Sequence, residues 1–430
     1  MKKFITILLI ILTYMAILPS GNLIGIPVKL MVTVVLIFPF LIQSKLKIPQ
    51  IIFAIIFILI GMIVVWLPIS LINNYADGAL GFIKSYLSFI IIVILVVLAL
   101  KNNLIEGKKV WKAIEVSSCI LIGSKIILEL LLILGIVNWN NCQNVLNNVF
   151  DADYMNLVIN LENISVYRLS FTNDSVPMLW YSLMLINNKK NTWNKLLVIL
   201  AMCLYSIISF SRVIIFQFAI ITVIAIIFNL FKKNNKLLKI IVLFMAIFIG
   251  ISWWNSHPQN SFVSGMNTIF DERLEGNNAE ASDNIRNEQF HYFIDGIKQH
   301  PVLGYGMGAY LRNYIRSASN KYSYELEYLS FIYQFGILGF IFIFINLIII
   351  FFKMIIDISG IRKNRSMFLR YGTYMVIINY IFWFLSPIYN PGFLSSNSGI
   401  LIAWMLIISF LLSTNSDIKN EKQCIKENNL

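Results

Sequence analysis

The chain has 430 residues, of which 58% are hydrophobic and only 13% are charged. Soluble domains carry about 25% charged residues, so this composition excludes an ordinary soluble protein and indicates an integral membrane protein. The formal net charge of +13 does not indicate a nucleic-acid partner, because polytopic membrane proteins gather lysine and arginine in their cytoplasmic loops.

Apolar runs divide the chain into about twelve predicted membrane spans. A spanning helix needs about 20 mostly apolar residues, and the predicted fold class is therefore an all-α polytopic membrane protein. The first run is interpreted as an uncleaved span, because no small-residue cleavage pattern follows it. The predicted spans are 4–19, 23–42, 50–71, 82–100, 113–137, 175–187, 196–211, 213–231, 237–254, 328–352, 371–389 and 398–413.

Basic residues orient these spans. When the amino terminus is placed in the cytoplasm and the spans alternate, most of the 34 lysines and arginines fall on the cytoplasmic side, as the positive-inside rule requires. Both termini are then cytoplasmic. The predicted organisation is nine spans in 1–254, a large external loop in 255–327, three spans in 328–413 and a cytoplasmic tail in 414–430.

The loop at 255–327 is the first place to look for chemistry. All three histidines of the protein, His257, His291 and His300, lie in it. Apolar helices with short connections offer few positions for polar functional groups, whereas a long charged segment on one membrane face offers many. The sequence therefore predicts that the functional site includes residues of this loop.

Arginines at the predicted external face point to an anionic ligand. Their position opposes the inside bias, so they require another explanation than orientation. The planar guanidinium binds phosphate or carboxylate through two parallel contacts and stays charged in any environment. The alternative is salt bridging to acids of the loop, such as Asp271, Glu272, Glu275 and Asp283. The arginines concerned are Arg168, Arg212, Arg273, Arg286, Arg312 and Arg316.

An amphipathic helix is predicted over 284–299. The preceding Ser282-Asp283-Asn284 offers N-cap residue types, and apolar residues recur at helical spacing from Phe290 to Ile297. Arg286 would lie in the first turn, where free backbone N–H groups already favour an anion such as a diphosphate. The alternative is a solvated arginine with no ligand.

A tight turn and a second helix are predicted after Pro301, which ends the first helix. Gly304, Gly306 and Gly308 form the turn, and a short helix over 309–319 would place Arg312 and Arg316 one turn apart on one face. Glu325 follows just before the next apolar run. A carboxylate at a membrane interface is costly unless it is paired or functional.

Three motifs together resemble the bacterial O-antigen polymerase and O-antigen ligase superfamily, over about residues 200–345. Ser209-x-Ser211-Arg212 opens a span. The Arg286 helix runs into His300-Pro301-Val302-Leu303-Gly304-Tyr305-Gly306, which is the most specific of the three. Glu325-x-x-Tyr328-Leu329 opens the next span, with Gly336-Ile337-Leu338-Gly339 after it.

The resemblance implies a fold of about twelve helices in the bacterial cytoplasmic membrane, with the large outer loop over a cavity. It implies a substrate of sugars carried on undecaprenyl diphosphate. Polymerases of the family move the growing glycan onto the next lipid-linked repeat unit, and ligases move a finished glycan onto lipid A core. It also implies that Arg212 and Arg286 bind the diphosphate, and that a chain-length regulator and a flippase act with the enzyme.

One departure from the family favours the polymerase. Ligases carry His-Asn at the start of the last motif, where this chain has Glu325-Leu326. Glu325 is therefore the predicted base or acceptor-orienting group, with Arg312 and Arg316 as weaker candidates for sugar or phosphate contacts. His300, Pro301, Gly304 and Gly306 are assigned a structural role. Neither a metal nor another cofactor is expected, since the loop has no clustered Asp-x-Asp.

The competing class is a transporter, such as a flippase for the same lipid-linked sugars. Transporters tend to show two related halves with charges in mid-span sites. The sequence shows no such halves, and a long external loop is hard to explain for a transporter. A transporter would have to use the in-span charges Lys29, Lys125 and Glu129.

Overall fold

The computed structural model describes the chain except for residues 21, 44–45, 151–157, 162–163, 168, 170, 172, 187–191, 210, 231–276, 316–320, 323, 360–366, 389–391 and 428–430. The predicted ninth span, 237–254, therefore lies outside the described residues, as do His257, Arg168, Arg273 and Arg316.

The described part of the chain is mainly helical, which agrees with the predicted class. The helices are α1 (Lys2–Tyr14), α2 (Val28–Ile42), α3 (Gln50–Ile72), α4 (Ala76–Lys101), α5 (Gly107–Ile133), α6 (Trp139–Phe150), α7 (Val176–Ile186), α8 (Thr192–Ile208), α9 (Arg212–Leu230), α10 (Asn277–Gln299), α11 (Glu327–Gly339), α12 (Asn346–Ser359), α13 (Met367–Leu385) and α14 (Ser396–Glu427). A two-stranded antiparallel hairpin, β1 (Val158–Leu161) and β2 (Ile164–Tyr167), lies between α6 and α7 and was not predicted.

Six helical segments within the described residues are long and apolar enough to cross a membrane. Shorter apolar helices account for other predicted spans, among them α2, α7, α8 and α9. The total of twelve spans stays a prediction. The six segments are Gln50–Ile72, Ala76–Lys101, Gly107–Ile133, Glu327–Ile358, Tyr371–Ile388 and Ser396–Ser413.

The core of the bundle is built on α4 and α14, which make the most extensive helix pair among the described elements. Phe89 on α4 and Trp404 on α14 are almost completely buried. At Gly399 of α14, an added Cβ would meet the backbone of Phe89 at 3.1 Å. Close approach of helices at small residues is the usual way in which membrane helices pack, because lipid gives no hydrophobic drive between them.

Two buried lysines of the bundle, Lys125 and Lys29, are hydrogen-bonded by the protein itself. Lys125 donates to both carboxylate oxygens of Asp174, at 3.0 and 2.9 Å, and Tyr205 Oη donates to the same carboxylate at 2.8 Å. Lys29 donates to Leu18 O at 3.0 Å and to the side chain of Asn397. Lys125 is therefore ion-paired and Lys29 is hydrogen-bonded to neutral oxygens, and such partners give buried polar groups a structural explanation.

Contacts between connections divide the molecule into two sides. Asn73, after α3, donates to Tyr305 O at 3.0 Å, and Glu327 accepts from the backbone N–H of Phe393 at 2.9 Å. All four of these residues belong to, or adjoin, segments that the alternation places outside. Asn102 donates to Lys47 O at 3.2 Å on the opposite side. The grouping agrees with the alternation; which side is cytoplasmic stays a prediction from the basic residues.

The span that starts with α11 is broken at Gly336, whose φ is +64°. Such a break leaves backbone polar groups without helical partners, and in a membrane these must be satisfied by other protein groups. Residues 301–306 supply them. The backbone hydrogen bonds join Ile337 N to Pro301 O (2.9 Å), Leu338 N to Val302 O (3.3 Å), Tyr305 N to Tyr333 O (3.0 Å) and Gly306 N to Gln334 O (2.8 Å).

Candidate functional site

Helix α10 carries the predicted arginine, but it starts earlier than the sequence indicated. It begins at Asn277 rather than at residue 284, so Arg286 is the tenth helical residue. The prediction that Arg286 adds its charge to a helix N-terminus is therefore wrong. Ala279-Glu280-Ala281 are good helix formers, and they allow the helix to begin ahead of the Ser-Asp-Asn cap signal.

Packing of α10 against α11 fixes the position of Arg286. Phe293 is completely buried, with its ring centroid 4.9 Å from that of Tyr324 and 5.7 Å from that of Tyr333. Burial of one such ring stabilises a fold by about 1.5–3 kcal/mol. Phe290 does not share this role, because it is 46% exposed. The predicted apolar stripe is therefore narrower than the sequence suggested.

Arg286 joins two carboxylates. Its Nε lies 2.9 Å from Glu325 Oε2, and its Nη1 lies 2.9 Å from Asp283 Oδ1, one turn earlier on α10. The Glu325 side chain is only 11% exposed and the Arg286 side chain 21%. Electrostatic interactions are stronger in such a partly desolvated setting than at a fully exposed surface.

Arg212 reaches the same cluster from a third element. It is the first residue of α9, as predicted, and its Nη1 lies 3.4 Å from Asp283 Oδ2. Asp283 thus bridges Arg212 and Arg286, and its side chain is 51% exposed. The alternative that loop acids pair with these arginines is confirmed for Asp283. The Arg212 and Arg286 side chains are themselves 32% and 21% exposed, so both keep some contact with solvent.

Gln289 orients Glu325 and was missed in the sequence. Its side chain is fully buried, and its Oε1 accepts from the backbone N–H of Glu325 at 3.2 Å and of Leu326 at 3.4 Å. Gln289 lies three residues after Arg286, so both side chains lie on one face of α10. The three-residue spacing from Arg286 is the sequence signal that could have identified Gln289 as a neighbour of the cluster.

Glu327 has a structural role outside this cluster. Its carboxylate accepts from the backbone N–H of Gly392 at 3.0 Å and of Phe393 at 2.9 Å. These contacts fasten the start of α11 to the segment that leads into α14. The two carboxylates at the start of this span therefore have different partners. Glu325 lies beside Arg286, whereas Glu327 anchors the start of α11.

The backbone of the His300–Gly306 motif makes contacts that support the fold, and its structural role stays a prediction. It pairs with the backbone on either side of the break at Gly336 and holds α11 beneath α10. His300 is exposed, and its ring packs edge-on against Tyr305 at 4.4 Å. Pro301 is also exposed, and its carbonyl accepts from Ile337. Neither His300 nor Pro301 belongs to the arginine–carboxylate cluster.

We expect Gly306→Ala to destabilise this face of the protein. A Cβ at Gly306 would lie 2.6 Å from Ser70 Cα, and its φ is +102°. The backbone strain alone costs about 1–2 kcal/mol for a residue with a side chain, and the overlap with backbone adds to it. The midpoint temperature of thermal unfolding, measured on the purified protein, should fall by about 4 °C or more.

Two other glycines separate the causes of that effect. Gly135 has φ +67° with open space around its Cβ position, and Gly123 of α5 has open space and no positive φ. Gly135→Ala should show the strain alone, and Gly123→Ala should be neutral or slightly stabilising. Equal shifts for Gly306→Ala and Gly135→Ala would show that the contact with Ser70 contributes nothing.

Arg312 lies elsewhere, and the helix predicted for it does not form in the described residues 309–315, which contain one turn at 312–313 and no regular secondary structure. Tyr324 Oη accepts from the Leu311 backbone N–H at 2.9 Å, which holds the chain in this non-helical path. Arg312 Nη2 donates to Asn73 O at 2.8 Å, and its guanidinium lies 4.8 Å from the centroid of the Tyr75 ring. Arg312 is thus not part of the cluster around Arg286.

Metal ligands are not grouped in the described part of the chain, where no set of three or more His, Cys, Asp and Glu residues could hold a metal ion. The chemistry available to the described cluster is therefore that of two guanidinium groups, two carboxylates and a buried amide. Such groups can bind a phosphorylated ligand and accept a proton from a hydroxyl.

These features define a multi-pass helical membrane protein with an arginine–carboxylate site where three helical elements meet. Residues 197–344 match the family model described as O-antigen ligase. The match confirms the resemblance to the O-antigen polymerase and ligase superfamily, and it includes Arg212, Arg286 and Glu325. It supports an enzyme of the O-antigen ligase or polymerase type. A search of curated proteins gave no significant match.

Proposed function

We propose that the protein is a polymerase of lipid-linked oligosaccharide repeat units. It transfers the growing glycan from undecaprenyl diphosphate to the next lipid-linked unit, at the outer face of the bacterial cytoplasmic membrane. The product is an O-antigen or a capsule. The observation that carries the proposal is the meeting of Arg212, Arg286 and Glu325, which come from three separate elements.

The diphosphate is assigned to the two arginines. Within the cluster, the single carboxylate of Asp283 lies between both guanidinium groups. A diphosphate carries more charge and more acceptor oxygens than one carboxylate, so it competes well for the same donors. Because the Asp283 side chain is half exposed, it can turn away towards water when the ligand arrives.

Glycosyl transfer at this site needs one bond formed and one broken. The acceptor hydroxyl oxygen attacks the anomeric carbon of the donor sugar, and the bond from that carbon to the diphosphate oxygen breaks. The electron pair leaves with the lipid diphosphate, whose charge Arg212 and Arg286 stabilise. The hydroxyl proton passes to the Glu325 carboxylate. The reaction as written requires neither a metal nor another cofactor.

The polymerase is preferred to a ligase because of Glu325-Leu326. Ligases of the superfamily carry His-Asn there, whereas this chain places a carboxylate 2.9 Å from the central arginine. The ligase, which would transfer the glycan to lipid A core, is kept as the second candidate because the matching family model is described as an O-antigen ligase.

The experiment that tests the proposal compares surface polysaccharide from a strain lacking the gene with that from the same strain carrying it. A polymerase predicts loss of the long ladder on a gel, with a single repeat unit still attached to core, and restoration by the wild-type gene. Loss of all repeat units from core, with long lipid-linked chains accumulating, would instead identify a ligase. Loss of all repeat units without such chains would indicate a flippase.

A further inference from the structure

A polar cleft lies on the same side of the molecule as the arginine cluster. It has a volume of about 540 Å³ and lies between the turn that joins α3 to α4, the C-terminal half of α10 and the chain around 305–313. This volume is within the range of about 300–1,000 Å³ that is usual for small-molecule sites.

The cleft offers two kinds of surface. Tyrosine rings contribute to its wall, and Tyr292 presents its ring to solvent with 44% exposure. Amide and carboxylate groups lie beside the rings, among them Asp295, Gln299 and Asn313. A sugar ring has an apolar C–H face that packs on an aromatic plane, and hydroxyls that both donate and accept hydrogen bonds. Amide and carboxylate side chains are suitable partners for those hydroxyls.

The wall of the cleft is held in place before any ligand arrives. Tyr305 Oη donates to Gln299 Oε1 at 2.7 Å, and the Tyr305 ring stacks on Tyr333 with centroids 4.5 Å apart. Asn73 donates to Tyr305 O and accepts, through its own carbonyl, from Arg312. A site whose side chains are already fixed loses little conformational entropy on binding.

Helix α10 connects the cleft to the arginine cluster. Tyr292 and Asp295 follow Arg286 by six and nine residues, so they are displaced by about 9 and 14 Å along the axis at 1.5 Å per residue. At about 100° per residue they also lie on a different flank of the helix from Arg286. A sugar in the cleft is therefore separated from the point of transfer, whereas an oligosaccharide is long enough to extend between the two.

We propose that the cleft binds sugar residues of the glycan at a distance from the diphosphate. The inference rests on the proposed function and deepens it, because it assigns the growing chain a binding subsite in addition to the site of bond formation. Arg312, predicted as a sugar or phosphate contact, takes the role of a positioning residue for the wall through Asn73 and Tyr75.

The test uses the full-length protein in lipid nanodiscs and the repeat-unit oligosaccharide released from the host's own polysaccharide, without lipid or diphosphate. Calorimetric titration should show binding to the wild type. Tyr292→Ala should weaken binding about tenfold, because one aromatic platform is lost, while Tyr292→Phe should keep most of the affinity. His291→Ala is the matched control, since His291 is exposed on the same helix and does not line the cleft; its affinity should stay within about twofold.

A transfer assay with lipid-linked units runs in parallel and separates the two proposals. Transfer by the wild type, with shorter chains from Tyr292→Ala and chains of wild-type length from His291→Ala, supports both. Transfer with no oligosaccharide binding, or with equal binding to Tyr292→Ala, overturns the cleft and leaves the proposed function standing. Binding that is lost in Tyr292→Ala, without any transfer, supports the cleft as a glycan site and overturns the polymerase.

Discussion

Arg286→Ala should lower the rate of glycan transfer by about 10²–10³-fold, as loss of one preorganised contact to a developing negative charge does in enzymes. Its guanidinium contacts both Asp283 and Glu325, so its removal takes away a charge and the link between the two carboxylates. Initial rates with purified lipid-linked repeat units, in nanodiscs, measure the effect. Arg286→Lys should fall between Ala and wild type, because it keeps the charge but loses the planar fork.

Lys298→Ala is the control for loss of a positive charge from the same helix. The Lys298 side chain is 72% exposed and lies 3.4 Å from Asp295, which is 73% exposed. Surface substitutions of this kind change free energies by about 0.5 kcal/mol or less, so the transfer rate should stay within about twofold. A loss of less than about threefold for Arg286→Ala would remove Arg286 from the diphosphate site.

The location of α10 could be predicted from the sequence, but its beginning could not. Helical recurrence of apolar residues from Phe290 to Ile297 identified the helix, and Pro301 its end. Ser282-Asp283-Asn284 signalled a start because such residues cap helices. In the structure Asp283 instead uses its carboxylate to join Arg212 and Arg286. A local sequence pattern does not show whether a carboxylate will cap the helix backbone or pair with a side chain that is distant in the sequence.

The members of the cluster were predicted better than their arrangement. Arg212, Arg286 and Glu325 were all selected, because each belongs to a motif of the resemblance. Their distances depend on how α9, α10 and the start of α11 pack, and no single motif encodes that. The position of Arg312 was also beyond what a local motif could predict. Its partners, Asn73 and Tyr75, lie more than 200 residues earlier in the chain, where local periodicity gives no information.

The break at Gly336 shows what the most specific motif of the chain contacts. The sequence indicated a tight turn at Gly304 and Gly306, and it gave no indication of what the turn contacts. In the structure the 301–306 backbone replaces helical hydrogen bonds that the broken span lacks. A Cβ on Gly304 would meet Gln334 O at 2.5 Å, so the close approach that makes this pairing possible requires glycine.

Glu325→Gln should lower kcat by about 10²–10⁴-fold, the usual contribution of a general base, with a much smaller change in KM. The amide has nearly the shape of the carboxylate and can occupy the same place beside Arg286, whose Nε lies 2.9 Å from Glu325 Oε2. The backbone contact of Glu325 with Gln289 does not involve the side chain of Glu325 and is kept. What the substitution removes is the ability to take the proton of the acceptor hydroxyl.

Two further variants make the result decisive. Glu327→Gln changes the neighbouring carboxylate, which accepts from the backbone of Gly392 and Phe393; it should lower thermal stability while kcat per folded molecule is kept. Glu325→Asp retains a carboxylate but withdraws it by one methylene, and should recover part of the rate that Gln loses. If Glu325→Gln keeps more than about a third of the wild-type kcat, Glu325 only positions Arg286, because an amide oxygen suffices for that role, and the proton acceptor is another group.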